Sequence, residues 1–228
     1  MKLGLIITGG RLNLAFAGQF LEKISVDCVI SVDGGLEKTR ALGLKPDAVV
    51  GDFDTVDPSV LEEYKGQQGI LWDVHKPEKD ETDTELAINT AIKLGCTHLA
   101  ILGATGGRLD HELSNLHLLK YCLDHQVEAC LWDPWNKVYL LRQGAVFQRK
   151  TLYGPYVSFL PLTEQVRGIT LTGFKYPLKG KNISIGTETG LCVSNELSED
   201  LAAVTFDSGI LICIESREEG ENWTGRFD

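Results

Sequence analysis

Hydrophobic and polar positions follow two different patterns along the chain, and the change between them falls near residue 133. Before it, short continuous apolar runs alternate with segments whose apolar residues recur at helical spacing. Continuous apolar runs are typical of strands buried on both faces, which indicates a parallel sheet covered by helices. We expect strands at Leu3–Ile7, Cys28–Val32, Ala48–Val50, Ile70–Val74, His98–Leu102 and Ala129–Trp132.

The segments between these runs carry signals for helix ends. Asp57-Pro58 places a capping side chain before a proline at the first helical position. Thr82 and Glu85 form a capping box, and we expect that helix to end near Gly95. We expect the next helix to pack in the core through a stripe made of Leu109, Leu113, Leu116 and Leu123.

Beyond Asp133-Pro134-Trp135 no helical period of any length remains. Short strand-like runs are separated there by Gly, Pro, Asn and Asp, which is typical of an antiparallel sandwich or barrel. The sequence therefore predicts an α/β protein. A doubly wound, mostly parallel sheet with helices on both faces would occupy residues 1–135, and an antiparallel β-sandwich or barrel domain would occupy residues 136–228.

Composition and charge argue against nucleic acid and membranes as binding partners. The chain has 228 residues and a net charge of −10, which argues against a broad surface for nucleic acid or anionic membranes. No apolar run approaches the roughly 20 residues of a membrane span, and Arg11 and Asn13 follow the first apolar run too soon for a signal peptide. The six cysteines form no Cys-x-x-Cys pair, so we expect free thiols in a cytoplasmic protein.

Candidate chemistry concentrates directly after the predicted strands. In a doubly wound sheet, ligands bind outside the carboxyl ends of the strands. Five unusual clusters lie at such ends, namely Thr8-Gly9-Gly10, Asp33-Gly34-Gly35, Gly51-Asp52-Phe53-Asp54-Thr55, the charged segment 76–83 and the glycine-rich segment 103–111.

The cluster after the third strand presents two carboxylates, Asp52 and Asp54, two residues apart. Residues two apart on an extended backbone point the same way, and like charges held close together favour a bound cation. Oxygen ligands favour Mg²⁺ or Ca²⁺. The alternative is an Asp-rich turn between a strand and a helix, which is common turn chemistry.

The two later clusters add groups suited to phosphate. Asp83 falls in the first turn of a predicted helix, with Lys79 nearby, although a solvated charge run would also explain this segment. The glycine-rich segment supplies backbone donors together with Arg108, Asp110 and His111, a combination that loop flexibility alone does not explain. Acids, glycine loops and basic residues at one sheet edge suit Mg²⁺-dependent phosphoryl transfer.

These clusters match, in order and spacing, the signatures of a known family. The chain resembles the thiamine pyrophosphokinase (thiamine diphosphokinase) family over its whole length, including the small-residue, Ser, Asn segment of the family's C-terminal β domain. The matching segments are Asp33-Gly34-Gly35, Gly51–Thr55, Asp80-x-Thr82-Asp83, Gly106-Gly107-Arg108-Leu109-Asp110-His111 and Gly190–Asn195.

The resemblance implies transfer of the diphosphoryl group of ATP to the hydroxyl of thiamine, with release of AMP. It implies that Asp52, Asp54 and Asp83 hold Mg²⁺ and that these acids and Arg108 are catalytic. The nucleotide-binding residues it implies are Asp33, Gly34, Lys79, Asp80, Thr82, Arg108, Asp110 and His111. Similar proteins are homodimers with thiamine bound between subunits, which makes Ser194 and Asn195 the thiamine candidates and gives the β domain a role in dimerisation.

The sequence departs from the family pattern at one place, and it is also compatible with two alternative functions. Some members carry a Trp in the last strands that stacks on thiamine, whereas the matching stretch Ser208–Ile212 has none. Asp52-Phe53-Asp54-Thr55-Val56 also fits the nucleophile loop of haloacid-dehalogenase-like phosphatases, although that loop normally follows the first strand. A nucleotide- or thiamine-binding regulator without catalysis is the second alternative, since fold does not fix function.

Overall fold

The computed structural model describes residues 1–75 and 80–218. The chain separates into two compact units, Met1–Pro134 and a second unit that begins at Trp135. The predicted phosphate-binding residue Lys79 lies outside the described residues. No helix within the described ranges is both long enough and apolar enough to cross a membrane.

The first unit contains a sheet whose neighbouring strands all pair in parallel, as predicted. Its strands are β1 (Leu3–Ile7), β2 (Cys28–Val32), β3 (Ala48–Gly51), β4 (Leu71–Val74), β5 (His98–Leu102) and β6 (Glu128–Trp132). The order across the sheet is β6-β5-β1-β2-β3-β4. Strands β2, β3 and β4 follow one another on one side of β1, and the chain then crosses to the other side of β1 to form β5 and β6. Strand β1 therefore lies between β2 and β5.

The helices that connect these strands are α1 (Leu14–Lys23), α2 (Gly35–Ala41), α3 (Pro58–Lys65), α4 (Asp83–Lys93) and α5 (Leu109–Asp124). The predicted ends of α3 and α4 are confirmed. Asp57 caps α3 by accepting from the Ser59 N–H at 2.7 Å. Thr82 caps α4 by accepting from the Glu85 N–H at 3.2 Å, and Gly95 has a φ of 81° just beyond its end.

Two expectations about packing are wrong. The fourth strand is not buried on both faces, because β4 is the edge strand and Leu71 and Val74 are 49% and 64% exposed. The leucine stripe of α5 is not the buried face, because Leu109 and Leu113 are 68% and 48% exposed. The helix buries the face made of Asn115, Leu118, Leu119 and Cys122 instead.

The second unit consists of antiparallel strands, as predicted. They are β7 (Asn136–Leu141), β8 (Ala145–Gln148), β9 (Tyr156–Pro161), β10 (Gln165–Thr172), β11 (Leu178–Ser184), β12 (Asn195–Glu196), β13 (Leu201–Thr205) and β14 (Leu211–Ser216). Within this unit the strands run β12-β9-β14-β7 in one sheet and β11-β10-β13-β8 in the other.

Side chains from both sheets form the core of the second unit. Phe147 of β8, Phe159 of β9 and Phe174 meet edge to face, with ring centroids 5.6 to 5.8 Å apart. Aromatic rings favour this edge-to-face arrangement because of their quadrupoles. The six cysteines, all within the described residues, are free thiols, as expected, and Cys192 and Cys213 lie in this core.

Candidate active site

The strand order of the first unit creates a cleft at the carboxyl ends of its central strands. Because β1 lies between β2 and β5, the loops that follow these three strands meet at one edge of the sheet. The cleft has a volume of about 620 Å³. The loops after these strands and the first turns of α4 and α5 line it.

Asp33 brings a half-buried carboxyl group into this cleft directly after β2. Its Oδ1 atom accepts from the backbone N–H groups of Asp52 at 3.2 Å and Phe53 at 3.4 Å. Burial, followed by the charge and hydrogen bond of the Asp83 carboxyl, raises the pKa of Asp33 to about 7. The structure therefore holds Asp33 and Asp83 against each other, an arrangement that a cation would relieve.

The loop after β3 is shaped to receive the Asp33 side chain. An added Cβ at Gly51, where φ is 143°, would lie 1.7 Å from Asp33 Oδ1. Phe53 has a φ of 61°, in the left-handed region that non-glycine residues seldom occupy. Backbone in such conformations persists where the surroundings enforce it, and it is frequent at functional sites.

Asp52 and Asp54 follow β3 as predicted but do not line the cleft. The N–H of Asp54 donates to Oδ1 of Asp52 at 3.2 Å, so Asp52 also stabilises its own turn. Asp52 is half-buried and Asp54 is exposed. Within residues 1–75 and 80–218, no group of three or more His, Cys, Asp or Glu side chains is arranged to hold a metal ion.

The first turn of α4 places two of the predicted residues in the cleft. Thr82 is the helix cap and Asp83 is the first helical residue, and both line the cleft. Asp80 is exposed and lies outside the cleft lining. The capped first turn of α4 therefore places Asp83, and not Asp80, in the cleft lining.

Three hydrogen bonds hold the glycine-rich loop between β5 and α5. The buried Asn115 donates through Nδ2 to the carbonyl oxygen of Ala104 at 3.0 Å. Thr105 Oγ1 donates to Asp133 at 2.8 Å, and Glu112 accepts from the Gly107 N–H at 2.6 Å. This loop is therefore fixed by side chains of its own unit and is not merely flexible.

Arg108 and His111 line the cleft at the start of α5. The guanidinium of Arg108 forms an exposed ion pair with Asp110 at 2.6 Å, and Asp110 Oδ1 accepts from the His111 N–H at 3.0 Å. The hydrogen bond from Arg108 lowers the pKa of Asp110, and the same bond raises the pKa of Arg108. Asp110 does not line the cleft and orients Arg108 instead.

Several cleft residues were missed by the sequence analysis. Lys38 of α2 lines the cleft, and burial lowers its pKa. A lysine on a surface helix is ordinarily solvated, so only its position one turn after Asp33-Gly34-Gly35 offered a signal. Gly34, a predicted ligand, precedes α2 and packs near Gly9. Arg11, Glu112, Ser114 and Asn115 also line the cleft without having been predicted, whereas the lining residues Thr8 and Thr105 belong to two of the predicted clusters.

The two thiamine candidates lie in the second unit. Ser194 is exposed and has a φ of 54°, and its N–H donates to Ser158 Oγ at 2.9 Å. Asn195 is 1% exposed, and its side chain pairs with both the N–H and the carbonyl of Tyr176. The amide of Asn195 therefore fixes the backbone of this segment, which leaves Ser194 as the more accessible side chain.

Family models match both units of the chain. The model described as the thiamin pyrophosphokinase catalytic domain matches residues 21–131, and the one described as the thiamin pyrophosphokinase vitamin B1 binding domain matches residues 145–211. Thiamine pyrophosphokinase from Bacillus subtilis is 35% identical over 189 residues, which cover 83% of this chain and 87% of that protein.

Solved structures agree with the sequence comparison. The crystal structure of thiamine pyrophosphokinase from Bacillus subtilis has a TM-score of 0.83 at 31% identity and covers 95% of this chain and 100% of that one. That of thiamin pyrophosphokinase from Geobacillus thermodenitrificans has a TM-score of 0.81 at 31% identity, covering 96% of this chain and 99% of that one. On these matches, the chain belongs to the thiamine pyrophosphokinase family.

Proposed function

We propose that this chain is an active thiamine pyrophosphokinase, which transfers the diphosphoryl group of ATP to thiamine and releases AMP. The observation that carries the proposal is the cleft of the first unit. It combines the paired acids Asp33 and Asp83 with the basic residues Lys38 and Arg108 in a member of this family. This combination suits phosphoryl transfer, in which cationic groups and a metal offset the charge of the triphosphate.

In the proposed reaction, the hydroxyl oxygen of thiamine forms a bond to the β-phosphorus of ATP. The bond between that phosphorus and the oxygen bridging to the α-phosphorus breaks, AMP leaves, and the hydroxyl proton is lost. Arg108 would stabilise phosphate charge, and Asp110 would hold the guanidinium in place through the observed ion pair. Thr82, Asp80 and His111 would help position the nucleotide, while Ser194 and Asn195 would contribute to thiamine binding.

The acidic residues fit Mg²⁺. This ion usually takes one or two carboxylates and completes its coordination with water and substrate phosphates, so a cage of three protein ligands is not required. The close pair Asp33 and Asp83 supplies such carboxylates. We propose that Asp83 holds Mg²⁺ in the cleft with Asp33 beside it, and that Asp52 and Asp54 contribute to the metal site from the loop after β3, outside the cleft lining. The ion, when bound, would neutralise triphosphate charge.

The proposal extends to the role of each unit. Residues 1–135 would bind ATP and Mg²⁺, and residues 136–228 would bind thiamine and form a homodimer in the cytoplasm. The match of the second unit to a vitamin B1 binding model supports this division of roles.

The direct test incubates the purified protein with thiamine, ATP and Mg²⁺ and measures thiamine diphosphate and AMP. We expect both products in equal amounts. Asp54→Asn should lower kcat by at least about 100-fold with the fold retained, because it removes a charge that helps to hold the metal. Asp200→Asn is the matched control, since the Asp200 side chain is 99% exposed in the second unit.

The outcomes separate the alternatives. Folded protein that yields neither product contradicts the proposal and favours a binding regulator. A phospho-aspartate at Asp52, detected by mass spectrometry after quenching, would favour the phosphatase alternative. Wild-type turnover in Asp54→Asn would remove Asp54 from the site while leaving the activity itself in place.

A further inference from the structure

Lys38 is a half-buried cation that lines the cleft. Its Nζ atom donates to the carbonyl oxygen of Thr8 at 2.9 Å and also to that of Gly10. Within the described parts of the chain, no Asp or Glu forms an ion pair with it, and the charge of Glu37, its chain neighbour, offsets only part of the effect by which burial lowers its pKa. An ammonium group has three donors, so one remains for a further acceptor. A partly desolvated charge without a counter-ion favours an anionic ligand.

The turn that Lys38 contacts, Thr8–Gly10, presents more donors without acceptors. The N–H groups of Gly9 and Gly10 donate to no protein group among the described residues, whereas that of Thr8 donates to Leu102. The hydroxyl of Thr8 is buried, lines the cleft and has no partner in the same ranges. A buried hydroxyl without a partner costs free energy unless a ligand or water satisfies it.

The backbone of the turn Thr8–Gly10 is held by the turn after β5 on one side and by Lys38 on the other. An added Cβ at Gly10 would lie 2.2 Å from the carbonyl oxygen of Gly103, so the turns after β1 and β5 touch. Lys38 holds the carbonyl groups of the same turn from the side of α2. Successive backbone N–H groups in a fixed turn make an anion-binding concavity, and an ammonium group beside them adds charge.

We propose that Thr8, Gly9, Gly10 and Lys38 form an anion subsite that receives one phosphate group of the triphosphate. Lys38 has two roles there: it positions the turn through two carbonyl groups and supplies the remaining donor to the phosphate. The identity of the ligand rests on the proposed function, but the anion-binding chemistry does not. The paired acids Asp33 and Asp83 would face the metal, and this subsite would contact phosphate oxygens directly.

The test uses calorimetry on the full chain. It measures the binding of inorganic triphosphate in the presence of Mg²⁺ and, in a separate titration, the binding of adenosine. Lys38→Met removes the charge and keeps most of the volume, and we expect it to weaken triphosphate binding at least 10-fold while adenosine binding changes less than twofold. Lys38→Arg should recover part of the loss. Arg40→Met is the matched control on the same helix, because Arg40 pairs with Glu63 at the surface. It should match the wild type for both ligands.

Thr8→Val provides an independent test should Lys38→Met fail to fold. It is isosteric and removes only a hydroxyl that has no partner among the described residues. We therefore expect triphosphate binding to weaken severalfold, while the melting temperature stays the same or rises. Wild-type triphosphate affinity in Lys38→Met or Thr8→Val overturns the subsite. So does an equal loss for triphosphate and adenosine, which would indicate a purely structural role.

The proposed function can fail independently of the subsite. Wild-type protein that binds triphosphate through Lys38 but forms no thiamine diphosphate would contradict the activity and leave the subsite intact. Wild-type protein that forms thiamine diphosphate, with a Lys38→Met variant of unchanged triphosphate affinity, would contradict the subsite alone.

Discussion

Asp33 shows how a single side chain joins three segments of the cleft. It follows β2, accepts from the backbone after β3 and contacts the carboxyl group of Asp83 at the start of α4. From the sequence, Asp33 was a candidate in the cluster after β2 and, by family resemblance, a nucleotide-binding residue. Its raised pKa follows from burial and from Asp83, and neither can be read from neighbouring residues.

A neutral residue at position 33 should stabilise the protein and impair its function. With EDTA present, we expect Asp33→Asn to raise the unfolding free energy at pH 8 by on the order of 1–2 kcal/mol. Because the folded pKa of Asp33 is raised to about 7 from 3.8, its ionisation opposes folding increasingly as pH rises between these values. Asn still accepts the two backbone hydrogen bonds and tolerates the φ of 44°.

Chemical denaturation of both proteins at pH 5 and pH 8 measures this effect. The stability gain of Asp33→Asn should be larger at pH 8 than at pH 5, and kcat should fall at both. A variant that is less stable than the wild type at pH 8 would show that the carboxylate stabilises the fold, contrary to its close contact with Asp83.

Helix ends were predictable at the scale of elements, whereas helix faces were not. Caps depend on residues two or three apart, so the starts of α3 and α4 followed from Asp57 and Thr82. The buried face of α5 depends on what packs against it. Asn115, which bonds to the loop after β5, lies on the buried face, whereas Leu109 and Leu113 are exposed.

The N-terminal cap of α1 offers a test at this scale. Asn13 accepts from the Phe16 N–H at 3.0 Å through its side-chain oxygen. Asn13→Ala should lower the unfolding free energy by about 1 kcal/mol, because one backbone donor loses its partner. Asn13→Ser should lose much less, since serine caps as well. Denaturation midpoints check both, and equal stability of the Ala and Ser variants would contradict the capping role.

At the scale of the whole molecule, each unit has its own core, and the second unit exposes apolar side chains on one of its sheets. Val146 and Leu201 are 70% and 56% exposed. Ala203 pairs with Val146 and lies two residues from Leu201, so the side chains of Val146 and Leu201 project from one face of that sheet. Exposed apolar groups on one face favour association, which supports the proposed homodimer.

Light scattering after size exclusion tests the homodimer. We expect a mass of twice the 25.1 kDa of one chain at micromolar concentration. Activity per chain should fall on dilution below the dissociation constant, because thiamine would bind between subunits. A monomer with full activity at every concentration would contradict both the dimer and the shared thiamine site.

The sequence by itself determined the strands of the first unit, the change to antiparallel strands near residue 133 and the clusters that follow the strands. These features depend on local periodicity, capping and short motifs, which neighbouring residues specify. Only the tertiary structure decided which clusters meet. The order β6-β5-β1-β2-β3-β4 places the turns after β1, β2 and β5 in one cleft and brings Lys38 into it. Strand order and burial arise from contacts between residues distant in sequence, and no local pattern encodes them.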